Sequence, residues 1–175
     1  LDSAGTKVHF RYKWLILNLA TAFFAASVVS LFQETIAAYV LLAVYMPIVA
    51  GMGGNAATQT LAVLVRGIAL GQIDLEHAWP ALRQEILAGF TNGVINGAIV
   101  AVIVYLLHQE VLIALILGLA MIVNLVVAGA FGTIVPLLMK RLGKDPATSA
   151  TIFITTATDV LGFLFFLGLA TLLLP

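Results

Sequence analysis

The sequence predicts an all-α, polytopic membrane protein with five transmembrane helices. Three observations predict it. Only 9% of the 175 residues are charged while 62% are hydrophobic, and the mean hydropathy is +1.14. Soluble domains carry ~25% charged and ~45–50% apolar residues. Five long apolar stretches follow one another without the alternation of a strand, and helices are the structures that close their own hydrogen bonds in lipid. Lastly, all eight Lys and Arg residues fall on one side of a five-span arrangement. The eight basic residues balance eight acidic ones, which argues against a nucleic-acid partner, since that needs a basic face. Cysteine is absent, so there is no disulfide, thiolate metal site or Cys nucleophile. Five spans use most of the chain and leave no room for a soluble catalytic domain. The sequence opens on Leu1, which predicts a fragment or processed product with more chain upstream.

The elements follow in order. Leu1 to Lys13 is polar and basic. The first span is expected from about Trp14 to Phe32, too long for a signal-peptide core. Gln33-Glu34-Thr35 reads as a tight turn. The second apolar stretch, about Ile36 to Val65, is long for one span, and Pro47 predicts a kink or break in it. Arg66 to Glu85 reads as a polar linker carrying Asp74, Glu76, His77, Trp79 and Arg83. The third span is about Ile86 to Leu107. The short turn His108-Gln109-Glu110 leads to the fourth, about Val111 to Met139. Lys140 to Lys144 is a basic loop. Asp145-Pro146 then opens the fifth span, about Ala147 to Leu174, with Asp as N-cap and Pro at the first helical position.

Lys7, Arg11 and Lys13 precede span one, Arg66 and Arg83 separate spans two and three, and Lys140, Arg141 and Lys144 separate spans four and five. The turns on the other side have no basic residue. The positive-inside rule then places the N-terminus in the cytoplasm and the C-terminus outside. Four or six spans would scatter these charges. Trp14 and Trp79 fall at span ends, where interfacial aromatics belong.

Of eight acids, Asp159 alone lies deep inside a span. A carboxylate at mid-bilayer costs at least ~2.5–3.5 kcal/mol, so such acids mark ion or proton sites. No Lys or Arg lies at that depth, which leaves a metal cation or another subunit's carboxylate as partner. At helical spacing Thr148, Thr151, Thr155, Asp159 and Gly162 form one stripe. A second candidate region is Pro47 to Thr60, where Gly51, Gly53 and Gly54 free the backbone and Asn55, Thr58 and Gln59 add dipoles. Irregular backbone at membrane depth is tolerated where it is buried or lines a wet cavity, so this stretch reads either as close helix packing through small residues or as part of an ion site. Gly51, Gly54, Asn55, Thr58, Thr151 and Thr155 are the expected pore-lining residues.

Gly89, Gly93 and Gly97 form a small-residue packing ridge. Asn92, Asn96 and Asn124 are expected to bond between helices. His9, His77 and His108 lack metal-ligand spacing. No Ser–His–acid set, HExxH pair or Walker loop occurs, so the sequence does not read as an enzyme.

The stretch Pro47-Ile48-Val49-Ala50-Gly51-Met52-Gly53-Gly54-Asn55-Ala56-Ala57-Thr58-Gln59-Thr60, followed by Val65-Arg66-Gly67-Ile68-Ala69-Leu70-Gly71, closely resembles the membrane domain of the MgtE magnesium channel family. So do Asp145-Pro146-Ala147 and the run from Thr155 to Phe163. Ala57 departs from the family pattern, which carries Gly there. The resemblance implies a homodimer of five-span subunits in the inner (plasma) membrane, with a pore on the two-fold axis lined by the second and fifth spans. It implies that Asp159 is the acid that binds Mg²⁺, both transported and pore-bound. It also implies that residues 1–13 end a cytoplasmic connecting helix, that 14–175 form the transmembrane domain, and that cytosolic CBS-type regulatory domains lie upstream. Two Asp159 carboxylates across the axis would balance a divalent charge and hold the ion through its waters. The rival reading is a proton- or sodium-coupled secondary transporter with Asp159 as the coupling acid.

Overall fold

The computed structural model describes residues 3–73 and 78–175, without the side chains of residues 7, 10 and 148. Described residues form six helices and no strand: α1 (Ala4–Ser30), α2 (Gln33–Ala38), α3 (Leu41–Ala69), α4 (Ala78–His108), α5 (Val111–Arg141) and α6 (Pro146–Leu173). All but α2 are long and apolar enough to cross a membrane. Large apolar side chains such as Leu15, Phe23, Leu106 and Leu172 are exposed, as lipid-facing residues should be. The chain is a multi-pass membrane protein.

α5 is the central helix. It is the most apolar stretch and the most buried, and it packs against α3, α4 and α6. Its closest partner is α4, and glycines explain why. A Cβ added at Gly93 would stand 2.7 Å from the Cα of Ile122, and one at Gly97 would stand 2.6 Å from the carbonyl oxygen of Gly118. Gly89 meets the Leu125 carbonyl in the same way. The expected ridge therefore brings two backbones into contact. Gln109, at φ 58°, makes the abrupt link between the two helices.

Four expectations need correction. Gln33–Thr35 is the first turn of α2 rather than a tight turn. The chain breaks at Tyr39, with φ −127° and ψ 73°, and runs as one helix through Pro47 and the Gly51–Asn55 cluster. Each helical glycine costs ~1 kcal/mol relative to Ala. Opening the backbone at membrane depth would cost several kcal/mol per unpaired group, so the helix persists. Arg66 lies in the last turn of α3 and Glu85 in the second turn of α4, so both ends of the expected linker are helical; Asp74, Glu76 and His77 lie outside the described residues. Asn96 donates to the carbonyl of Asn92 in its own helix, not to a neighbour.

α1 runs unbroken across the expected boundary at residue 13, and its N-terminal turn is capped by Ser3. Among the long helices α1 packs mainly on α6 and is otherwise bare. α3 and α5 both end in left-handed glycines, Gly71 and Gly143, each at φ 67°. At Gly143 the Lys144 N–H returns to the Met139 carbonyl, closing α5 where the next helix must turn back. At the opposite end of the molecule Tyr39 donates to the Pro175 carbonyl (2.6 Å), and Tyr45 meets the ring of His108 (2.8 Å).

Candidate cation site

α6 begins as the sequence predicts. The Asp145 carboxylate accepts from the Ala147 N–H (3.1 Å), and Pro146 needs no donor at the first helical position. From this fixed start the helix carries Asp159 some three and a half turns inward. Asp159 is half-buried and makes no hydrogen bond or ion pair with the described residues. It opens into a cleft of about 280 Å³ with Thr155 and Thr156 of α6 and Asn18, Thr21 and Ala22 of α1.

The predicted stripe divides on folding. Thr151 and Thr155 face a wider groove towards α1, shared with Arg11, Trp14 and Asn18. Gly162 turns the other way and is buried against Asn124. The side chain of Thr148 lies outside the described residues. Thr155 donates to the carbonyls of Thr151 (3.0 Å) and Ile152 (3.1 Å), and Thr156 donates to Ile152 (2.6 Å). These bonds use the hydroxyl hydrogens and leave oxygen lone pairs for the cleft.

The residues expected on α3 lie elsewhere in a single chain. Gly51, Asn55 and Thr58 are exposed and Gly54 is partly so. A Cβ at Gly51 or Gly54 would meet nothing within 4 Å. Thr58 bonds back to the Gly54 carbonyl (2.7 Å). This uncovered face is glycine-rich and polar, with Gln59 also exposed. None of it lines the Asp159 cleft.

Asn124 of α5 connects the two expected pore helices. It is fully buried, and its Nδ2 donates to the Val49 carbonyl of α3 (2.7 Å). Its amide is wedged between Gly53 of α3 and Gly162 of α6, where added Cβ atoms would collide with it. Its Oδ1 has no hydrogen-bond partner among the described residues. The expected interhelical role of Asn124 is therefore realised three residues along α6 from Asp159.

Two features were not singled out from the sequence. Glu85 accepts a hydrogen bond from Thr60 of α3 (2.9 Å), tying α4 to α3 beside Gln59 and Asn92. Asn18 and Thr21 of α1 share the Asp159 cleft. In the sequence they are only isolated polar residues inside an apolar run, with nothing to say which helix they face.

Residues 46–169 match the MgtE family, described as a divalent cation transporter. The chain is 31% identical over 162 residues to the magnesium transporter MgtE of Enterococcus faecalis, covering 93% of this chain and 36% of that protein. It is 30% identical over 161 residues to the magnesium transporter MgtE of Bacillus subtilis, covering 92% and 36%. Against the magnesium transporter MgtE of Thermus thermophilus it is 29% identical over 164 residues, covering 94% and 36%. The chain thus spans about a third of the length of these relatives.

Proposed function

The chain belongs to the MgtE family of divalent cation transporters, and on that premise we propose that it forms the Mg²⁺-conducting membrane part of a homodimeric channel, with Asp159 as its ion-binding residue. The observation that carries this reading is Asp159 itself. It is a carboxylate within a span, open to a polar cleft, and without a hydrogen-bond or ion-pair partner among the described residues. An unpaired charge at that depth is costly, and a cation is the partner that removes the cost. At ~4 Å and an effective dielectric of ~20, one unit charge is worth roughly 4 kcal/mol. A divalent ion gains about twice that, so the acid favours it over Na⁺ or K⁺. Mg²⁺ dehydrates reluctantly and is held by one or two carboxylates with waters retained, which suits one acid per subunit.

The uncovered face of α3 supports a second subunit. Asn55, Thr58 and Gln59 on a lipid-exposed helix would leave polar groups in hydrocarbon. Facing a two-fold copy across a wet pore, they line the conduction path together with Gly51, Gly54, Thr151 and Thr155. Ions pass down their electrochemical gradient, without ATP. The positive-inside rule sets the N-terminus in the cytoplasm of the plasma membrane, and residues 1–13 join the domain to cytosolic regulatory modules of the CBS type.

The test is Mg²⁺ flux into liposomes. Asp159→Asn keeps the shape and removes the charge. It should abolish divalent selectivity and lower Mg²⁺ flux at least tenfold, with folding and dimer mass unchanged. Flux and selectivity equal to the parent would reduce Asp159 to a structural acid. Flux that requires a proton or sodium gradient would favour a coupled transporter instead.

A further inference from the structure

Asp159 is not the sole unpaired polar group of its cleft. Asn18 projects from α1 into the same space, and its carboxamide has no hydrogen-bond partner among the described residues. It lies within a candidate span, where an amide without a partner costs free energy. The hydroxyls around it are differently placed. Thr21 donates to the Asn18 carbonyl (2.9 Å), and Thr155 and Thr156 donate to carbonyls of α6. Their hydrogens are thereby taken, so each offers oxygen lone pairs alone. With the carboxylate of Asp159 and Oδ1 of Asn18, acceptors outnumber donors on the polar wall, whose one free donor group is the Nδ2 of Asn18. Its complement is a ligand that presents hydrogens all round and carries positive charge.

A hydrated divalent cation has that chemistry. Six waters at ~30 Å³ each occupy roughly 180 Å³, and the cleft of about 280 Å³ accommodates them. We propose that Asn18 of α1 is a further cation-binding residue, its Oδ1 accepting a hydrogen bond from the water shell of the ion held by Asp159. The proposal rests on the cation-site reading of Asp159 and adds the first span to the helices that touch the ion. Because Asn18 reaches the waters and not the metal, it selects for an ion that keeps its shell.

The test uses Mg²⁺ and hexaamminecobalt(III), a cation whose ammine shell does not exchange, each titrated by calorimetry into the detergent-purified protein. Asn18→Leu should weaken both by about tenfold, the worth of one hydrogen bond to a charged group. Asn18→Asp, the same size with an added negative charge, should tighten both. Ser27→Ala, which alters a hydroxyl of α1 outside the cleft, should change neither. If Asn18→Leu does not fold, Asn18→Asp decides alone, and unchanged affinity there overturns the proposal. If Asn18 variants bind both ions like the parent while Asp159→Asn loses them, Asn18 has no contact with the ion and the role of Asp159 stands. If Asp159→Asn also binds like the parent, the underlying site reading falls with it.

Discussion

Asn124 shows how a single side chain sets the spacing of three helices. Its amide needs the room left by two missing methyl groups, at Gly53 and Gly162, before it can reach the Val49 carbonyl. Gly162→Ala would bring a Cβ to 2.8 Å from Nδ2, and Gly53→Ala would collide with the same atom. The amide is fully buried and cannot swing into open space. Overpacking of this sort costs ~1–3 kcal/mol, so each variant should lower the thermal midpoint in detergent by several degrees. Gly54→Ala is the adjacent control, with nothing within 4 Å, and should not lower it. Equal losses at positions 53 and 54 would refute the wedge. Asp159 stands out in the sequence because an acid inside an apolar span is costly, and it marks an ion or proton site more often than a structural contact. Asn18 does not, since one Asn in an apolar run looks the same whatever faces it. Its meaning comes from α6, at the far end of the sequence.

Helices were the most legible level. Apolar runs of sufficient length, the Asp145-Pro146 start and the glycine spacing of α4 all appear in the fold as read. The errors cluster where local preference meets the demand for hydrogen bonds in lipid. Pro47 and the glycines favour a break, but the helix closes over them. The break falls at Tyr39, whose hydroxyl is held by the Pro175 carbonyl, a contact between residues far apart in sequence. The α4–α5 interface gives the prediction at this scale. Gly93→Val would force side-chain carbons against the Ile122 backbone, which cannot retreat without moving α5. Thermal stability should fall by more than for Val94→Ala on the exposed face of the same helix. A fall no larger than that of Val94→Ala would mean that α4 and α5 are not in backbone contact.

Across the whole molecule, polarity is divided between two ends. Arg11 lies beside Thr151 at the N-terminal ends of α1 and α6, while Thr35 bonds to Thr171 (2.8 Å) near the C-terminal end of α6. α1 and α6 therefore run parallel, as the first and fifth of five crossings must. This predicts accessibility from the two sides of a cell membrane. Glu34→Cys and Glu110→Cys should react with an impermeant thiol reagent added outside intact cells, and Lys144→Cys should not. Outside labelling at position 144 would invert or break the topology. The charge segregation was readable from the sequence alone, because the rule acts on loops and needs no knowledge of packing.

The two-residue link at Gln109–Glu110 also has a consequence for biogenesis. α4 and α5 emerge from the ribosome one after the other and meet along their whole glycine-lined faces. So short a connection makes their pairing the least costly ring to close. The hairpin can enter the bilayer as a unit and offer α5 as a template to helices already inserted. The Asp159 cleft stands at the other extreme, because its walls come from the first and last spans. It is complete only when synthesis has reached α6, so on the proposed reading ion binding must follow insertion of all five spans.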